Sequence, residues 1–177
     1  VDDSLQSKYA VKYAATISSA VKDLHYVLFH GQPMISHYLL EEARKNLQAQ
    51  AELDKVHKKN EAAAHKILEQ YQNDLVRLGI EENRIEIVTQ PRTLGLAKDI
   101  IDFGHVGRYD AIVMGRRRIT RLQEVFMGSV STNVLEHSQF IPIWLVDDEF
   151  TSDKILVAVD GSESSLHVID HIRFMVM

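Results

Sequence analysis

Apolar residues in this chain follow two rhythms that alternate along its length. Four short runs read as buried strands: HYVLFH at His25 to His30, IEIVT at Ile85 to Thr89, AIVMG at Ala111 to Gly115, and IPIWLV at Ile141 to Val146. They are rich in Val and Ile and bounded by polar residues or Gly, as strands covered on both faces should be. A fifth run, KILVAVD at Lys154 to Asp160, lies near the C-terminus. Between the runs the period changes to that of a helix. Ala10, Val11, Ala14 and Ile17 share one face of a first helix. Ala64, Ile67, Leu68, Tyr71, Leu75 and Leu78 form the stripe of a long second one. Leu96, Ala97, Ile100 and Ile101 mark a third, and Val130, Val134 and Leu135 a fourth. The polar stretch Ser36 to Lys59 has almost no breakers and reads as a solvated helical extension into the second helix.

Strands that alternate with helices of this length imply right-handed βαβ crossovers. The predicted fold is a doubly wound α/β domain with a mostly parallel five-stranded sheet and helices on both faces. An internal repeat modifies that picture. Val1-Asp2-Asp3-Ser4-Leu5-Gln6-Ser7 matches Val159-Asp160-Gly161-Ser162-Glu163-Ser164-Ser165, and an amphipathic helix follows each copy. A strand precedes the second copy but not the first. The expected organisation is therefore a domain over 1–148 that lacks its first strand, a linker at 149–153, and the first strand and helix of a second domain at 154–177. A strand missing from mid-sheet leaves two rows of backbone groups to be paired. Residues Lys154 to Asp160, from this chain or a neighbouring copy, or a segment ahead of Val1, are expected to fill the gap.

Composition narrows the partners more than the fold. Hydrophobic residues make up 45% of the 177 and charged residues 25%, a globular profile. With 20 Lys+Arg against 25 Asp+Glu, the net charge of −5 gives no general attraction to nucleic acid or to an anionic membrane. The absence of cysteine excludes disulfides and thiolate metal sites. No apolar run is long enough to span a bilayer, and cytoplasmic residence is the default expectation.

The strongest chemical signal begins where the third strand ends. Met114-Gly115 is followed by the cationic Arg116-Arg117-Arg118, and Gly128-Ser129-Val130-Ser131 then opens a helix. Glycines let backbone approach an anion closely, and the N–H groups and dipole of a helix N-terminus favour phosphate. Ser129 and Ser131 can cap that helix or donate to a phosphate oxygen. A second signal is Asp2, with Asp160 as its repeat: a carboxylate at a strand's C-terminal end can accept ribose or adenine hydrogen bonds. Each feature also has a plainer reading. The glycines can serve turn geometry, the arginines a solvated loop, Asp2 the cap of the next helix, Phe29 the core, and His30 a loop. His167 and His171 stand four apart without an HExxH pattern and read as surface histidines.

The spacing of Gly115, Gly128 and Ser129 resembles the G-x2-G-x9-G-[S/T] motif of universal stress proteins that bind ATP, with Arg118 standing at the second glycine. The resemblance covers Val1 to Val146, with a repeat beginning at Lys154. It implies an adenine nucleotide alpha hydrolase-like, Rossmann-like fold. It further implies ATP or ADP, with or without Mg, held by Asp2, Phe29, Met114, Gly115, Arg117, Arg118, Gly128, Ser129, Val130 and Ser131. A long cation at Arg118 can clamp the phosphates or occupy their space, and some relatives that depart from the motif bind no nucleotide. The family's counterpart of Ile141 to Val146 pairs across a dimer, so a homodimer with Trp144 buried at its interface is expected.

Three functions follow from these features. The first is a non-catalytic nucleotide-binding regulator in stress response. The second is a stress protein that acts only through protein contacts. The third, an enzyme acting on ATP, finds no Walker-type Lys-Ser/Thr loop, nucleophile–base pair or carboxylate cluster, which leaves slow hydrolysis as its residual form.

Overall fold

The computed structural model describes residues 1–17, 21, 23–116, 129–138, 141–149 and 154–176. The elements alternate as the periodicity predicts. Helix α1 (Leu5–Ile17) leads into strand β1 (Tyr26–Gln32), followed by α2 (His37–Ala43), α3 (Leu47–Arg77), β2 (Ile85–Pro91) and α4 (Leu96–Gly107). Strand β3 (Ile112–Gly115), α5 (Ser129–His137), β4 (Ile143–Val146) and α6 (Glu163–Val176) complete the order. The polar stretch from Ser36 is indeed helical, broken once between α2 and α3. Ser36 Oγ accepts from the Leu39 N–H at 3.2 Å, and Asn46 caps α3 by accepting from the Gln48 N–H at 2.8 Å.

The core forms around α3. Ala64, Leu68, Tyr71 and Leu75 repeat at helical spacing and are buried, and Leu68, Tyr71 and Leu75 pack with Val11 and Ala15 of α1 and with Tyr26, Leu28 and Ile85 of the strands. The helix ends where Gly79 takes φ 94°, a left-handed conformation that glycine adopts without strain. That turn lets the Ile80 N–H reach the Leu75 carbonyl at 3.1 Å and folds Ile80 back into the core.

The strands correct one expectation. Instead of one five-stranded sheet, the described residues form two parallel pairs, β1 with β2 and β3 with β4. Tyr26 lies opposite Ile85 in the first pair, and Ile112 opposite Ile143 in the second. Residues 154–160 are in no strand, although Ile155 to Val159 have the composition of one. β-Propensity expresses fitness for a pleated, half-buried surface and needs a partner edge to become a strand. Here the segment meets none, so Ile155 remains 51% and Leu156 94% exposed. The fold is still that of an α/β layer protein with parallel strands, divided at its centre.

Candidate functional site

A cavity of about 540 Å³ occupies that division, with β1 on one side and β3 on the other. Asp2, Phe29, Met114, Gly115, Val130 and Ser131 all line it. The structure therefore brings these six residues of the predicted site together, and Ser129 opens α5. Arg117, Arg118 and Gly128 lie outside the described residues.

Asp2 is held in the turn that starts α1. Its Oδ1 accepts from the Ser4 N–H at 3.2 Å, from the Ser7 hydroxyl at 2.7 Å and from the Ser4 hydroxyl. Burial would raise its carboxyl, but the hydrogen bonds from Ser4 and Ser7 outweigh it and hold the group below the usual carboxylate range. The turn is tied to the core from below, where the Tyr71 hydroxyl donates to the Asp2 carbonyl at 2.8 Å. Burial and the nearby Asp2 charge push that phenol up to about 12, so it stays a donor.

Phe29 divides its roles between ring and backbone. The ring packs on Phe103 of α4, with centroids 4.9 Å apart, and Phe103 stacks in turn on Tyr109 at 5.6 Å. The carbonyl points the other way and accepts from the backbone nitrogen of Val1. Val1 thus lies beside β1. Its own carbonyl accepts from His30 Nδ1 at 2.8 Å, which fixes the proton on that nitrogen. Burial lowers the basicity of His30, partly offset by that hydrogen bond to Val1.

At the far wall, Gly115 is the point of closest approach. A Cβ placed there would stand 2.4 Å from the Gln6 carbonyl carbon and oxygen, so α1 rests its backbone directly on the end of β3. Arg116 continues the strand, its N–H donating to the Val146 carbonyl at 2.9 Å and its guanidinium pairing with Asp147. Val130 is half-buried and Ser131 buried on α5.

Three contributors to this region were not singled out in the sequence. Arg92, just past β2, buries its Nε in the cavity wall, where it has no hydrogen-bond partner among the described residues. Asp99, only 4% exposed, shapes the adjacent loop by accepting from the Thr93 hydroxyl at 2.6 Å and from the Thr93 N–H at 3.1 Å. Burial opposes ionisation of Asp99, yet these bonds keep its pKa below the ordinary value. Tyr71 reads in the sequence only as a member of the α3 stripe. Chain-distant polar contacts of this kind leave no periodic signal; the lone hint was that a Tyr sits among aliphatic positions.

One expectation changes. His171 is no simple surface residue: it is half-buried, and its Nε2 accepts from the Trp144 indole N–H at 2.9 Å. Trp144 accordingly packs within the chain, edge-on to Tyr13 of α1 at 5.8 Å and to His171 of α6 at 5.5 Å. Among the described residues no group of three or more His, Asp or Glu is placed to hold a metal, and no helix is long and apolar enough to cross a membrane.

The sequence model of the universal stress protein family matches residues 1–147. Among solved structures, the chain is similar to a universal stress protein from Archaeoglobus fulgidus at 19% identity, with a TM-score of 0.60 over 82% of this chain and 92% of that one. It is also similar to the hypothetical protein MJ0577, a structural-genomics test case for structure-based assignment of biochemical function. That likeness has 20% identity and a TM-score of 0.57, covering 85% of this chain and 94% of that one. No curated protein matches.

Proposed function

The chain belongs to the universal stress protein family, and from that premise we propose that it is a non-catalytic regulator that binds ATP or ADP in the central cavity and acts in stress response as a homodimer. The observation that carries the reading is the convergence of Asp2, Phe29, Met114, Gly115, Val130 and Ser131 on one cavity of about 540 Å³. That volume is in the range of small-molecule sites. The buried Arg92 Nε adds a donor whose lost hydration a polar ligand group would offset.

In this reading Asp2 meets the ribose side and the Phe29 region meets the base. Gly115, Arg117, Arg118, Gly128, Ser129 and Ser131 surround the phosphates. Mg2+ would enter with the phosphates, since the described residues offer no carboxylate cluster for it. Gln6 must withdraw from Gly115 for the phosphate end to open, so binding is coupled to the position of α1. The dimer forms through β4, which has one strand neighbour among the described residues.

The close seat of Gln6 on Gly115 also favours a second reading, in which α1 keeps that end shut and the protein acts through protein contacts alone. Mass spectrometry of small molecules released from the purified, denatured protein separates the two. Adenine nucleotide at near-stoichiometric amounts is expected; its absence, with no thermal shift at millimolar ATP or ADP, contradicts nucleotide binding.

A further inference from the structure

Two side chains of opposite hydrogen-bonding character meet where β1 and β2 end. His30 stands one residue past Phe29 on β1, Arg92 directly follows β2, and both line the cavity. The stem of Arg92 lies over Gly31, with Nε 3.7 Å from where a Cβ on that glycine would stand. The backbone just beyond Arg92 is anchored by Asp99, which accepts from the Thr93 hydroxyl at 2.6 Å, the Thr93 N–H at 3.1 Å and the Leu94 N–H at 3.3 Å. Arg92 Nε is buried there and has no hydrogen-bond partner among the described residues. It is a donor fixed in place and stripped of water.

His30 supplies the opposite polarity. Its Nδ1–H is engaged by the Val1 carbonyl at 2.8 Å, so in the neutral ring Nε2 carries a lone pair and no proton. Among the described residues that lone pair has no donor. Burial lowers the basicity of the ring, and the nearby Arg92 cation acts in the same direction, which keeps Nε2 an acceptor at neutral pH. Both atoms lie toward the carboxyl ends of the strands, whereas chain ahead of Val1 leaves the Phe29 carbonyl in the opposite direction, toward Tyr26. A donor and an acceptor at one end of a cavity match a ligand edge that presents an acceptor beside a donor. Adenine has two such edges, its 6-amino group lying between the ring nitrogens N1 and N7.

We propose that Arg92 and His30 are the specificity residues of this site: Arg92 Nε–H donates to a ring nitrogen of adenine, and His30 Nε2 accepts from its 6-amino group. These contacts rest on the nucleotide reading above, in which Asp2 holds the ribose side and so fixes the order in which the base meets the two side chains. Whichever edge adenine presents, its amino group faces His30. A 6-oxo purine sets O6 against the His30 lone pair instead, and on the N1 edge it also sets N1–H against the Arg92 Nε–H. Each mismatch leaves buried polar groups unpaired. The cavity therefore selects 6-amino over 6-oxo purine nucleotides by about 10- to 100-fold.

Calorimetric titration with ATP and with ITP tests this, because the inosine nucleotide differs from ATP only in its 6-oxo group and the proton on N1. The unaltered chain is expected to bind ATP about tenfold or more tighter than ITP. His30→Asn keeps a donor for the Val1 carbonyl but removes the Nε2 lone pair, and should bring the two nucleotides close to equal affinity. Arg92→Lys keeps the positive charge but removes the Nε donor, and should weaken ATP by about tenfold. The comparison on the unaltered chain needs no variant to fold. Equal affinity for ATP and ITP there, or an ATP preference that survives intact in both variants, overturns the proposal and leaves nucleotide binding standing. No heat with either nucleotide at millimolar concentration overturns the nucleotide reading itself, and the two specificity residues with it.

Discussion

The turn at Val1 to Ser7 and the turn at Val159 to Ser165 match at four of seven positions and share two hydrogen bonds, from the Ser4 and Ser162 N–H groups to Asp2 and Asp160 and from the Ser7 and Ser165 N–H groups to the Ser4 and Ser162 hydroxyls, yet they live in different surroundings. Helices α1 and α6 even begin at equivalent positions, Leu5 and Glu163. Tyr13 and His171 stand at equivalent places too, and both turn an edge to Trp144. The first turn is half-buried, clamped by Tyr71 and aimed at a cavity; Asp160, in the second, is fully exposed. Hydrogen bonds from Ser162 hold Asp160 at about 2 with little burial to oppose them, whereas burial opposes those at Asp2. Local sequence suffices to make the turn. Tertiary contacts decide whether the turn belongs to a site.

The largest contrast is expected in packing. Val11 of α1 is buried and its counterpart Ile169 of α6 is 43% exposed. Val11→Ala should destabilise by about 2 kcal/mol and Ile169→Ala by less than about 0.5 kcal/mol, measured by urea unfolding. Equal losses would mean that α6 is as well buried as α1.

Next comes the clamp. Tyr71→Phe removes the donor to the Asp2 carbonyl and should cost about 1 kcal/mol, with faster exchange of the Ser4 and Ser7 amides and no change at Ser162 and Ser165. Unchanged exchange at all four would detach Tyr71 from the turn.

The acid limb gives a smaller effect. The folded pKa values of Asp2 and Asp99 lie below their unfolded values, so the unfolded chain binds protons more readily. The stability these groups contribute is present above an unfolded carboxylate value of about 4 and is lost as pH falls through the lower folded values. Asp2→Asn should flatten that loss, while Asp160→Asn should leave it unchanged because solvent screens an exposed carboxylate. A pH-stability profile of the two variants distinguishes them.

His171 gives the smallest signal. Burial lowers its pKa, only partly opposed by Asp110, and it accepts from Trp144, so it docks as the neutral ring. Its contribution is present above an unfolded histidine value of about 6.5 and declines as pH falls below it. Trp144 fluorescence should report that decline and lose its pH dependence in His171→Phe, a variant that cannot be protonated there.

Much of this architecture was written in local pattern. Strands β1 to β4 fall within a residue or two of the apolar runs, and the α3 stripe of Ala64, Leu68, Tyr71 and Leu75 is read directly from the helical period. The gap in mid-sheet was legible in the repeat, but the placement of Ile155 to Val159 was not, because that segment encodes a capacity to pair and carries no information on whether an edge is within reach. The seat of Gln6 on Gly115 was equally hidden. A glycine at a strand end signals close approach, but the sequence leaves open whether phosphate or a neighbouring helix makes that approach. Arg92 lies beyond any motif and entered the cavity wall only through the turn after β2.

The most direct test of the account is a calorimetric titration of ATP and ADP into the protein and into Asp2→Asn and Asp160→Asn. Saturable binding is predicted for the unaltered chain, weakened about tenfold or more in Asp2→Asn by loss of a charged hydrogen-bond acceptor and unchanged in Asp160→Asn. No heat at millimolar nucleotide, or equal weakening by the two substitutions, would contradict the claim that the first turn faces a nucleotide site.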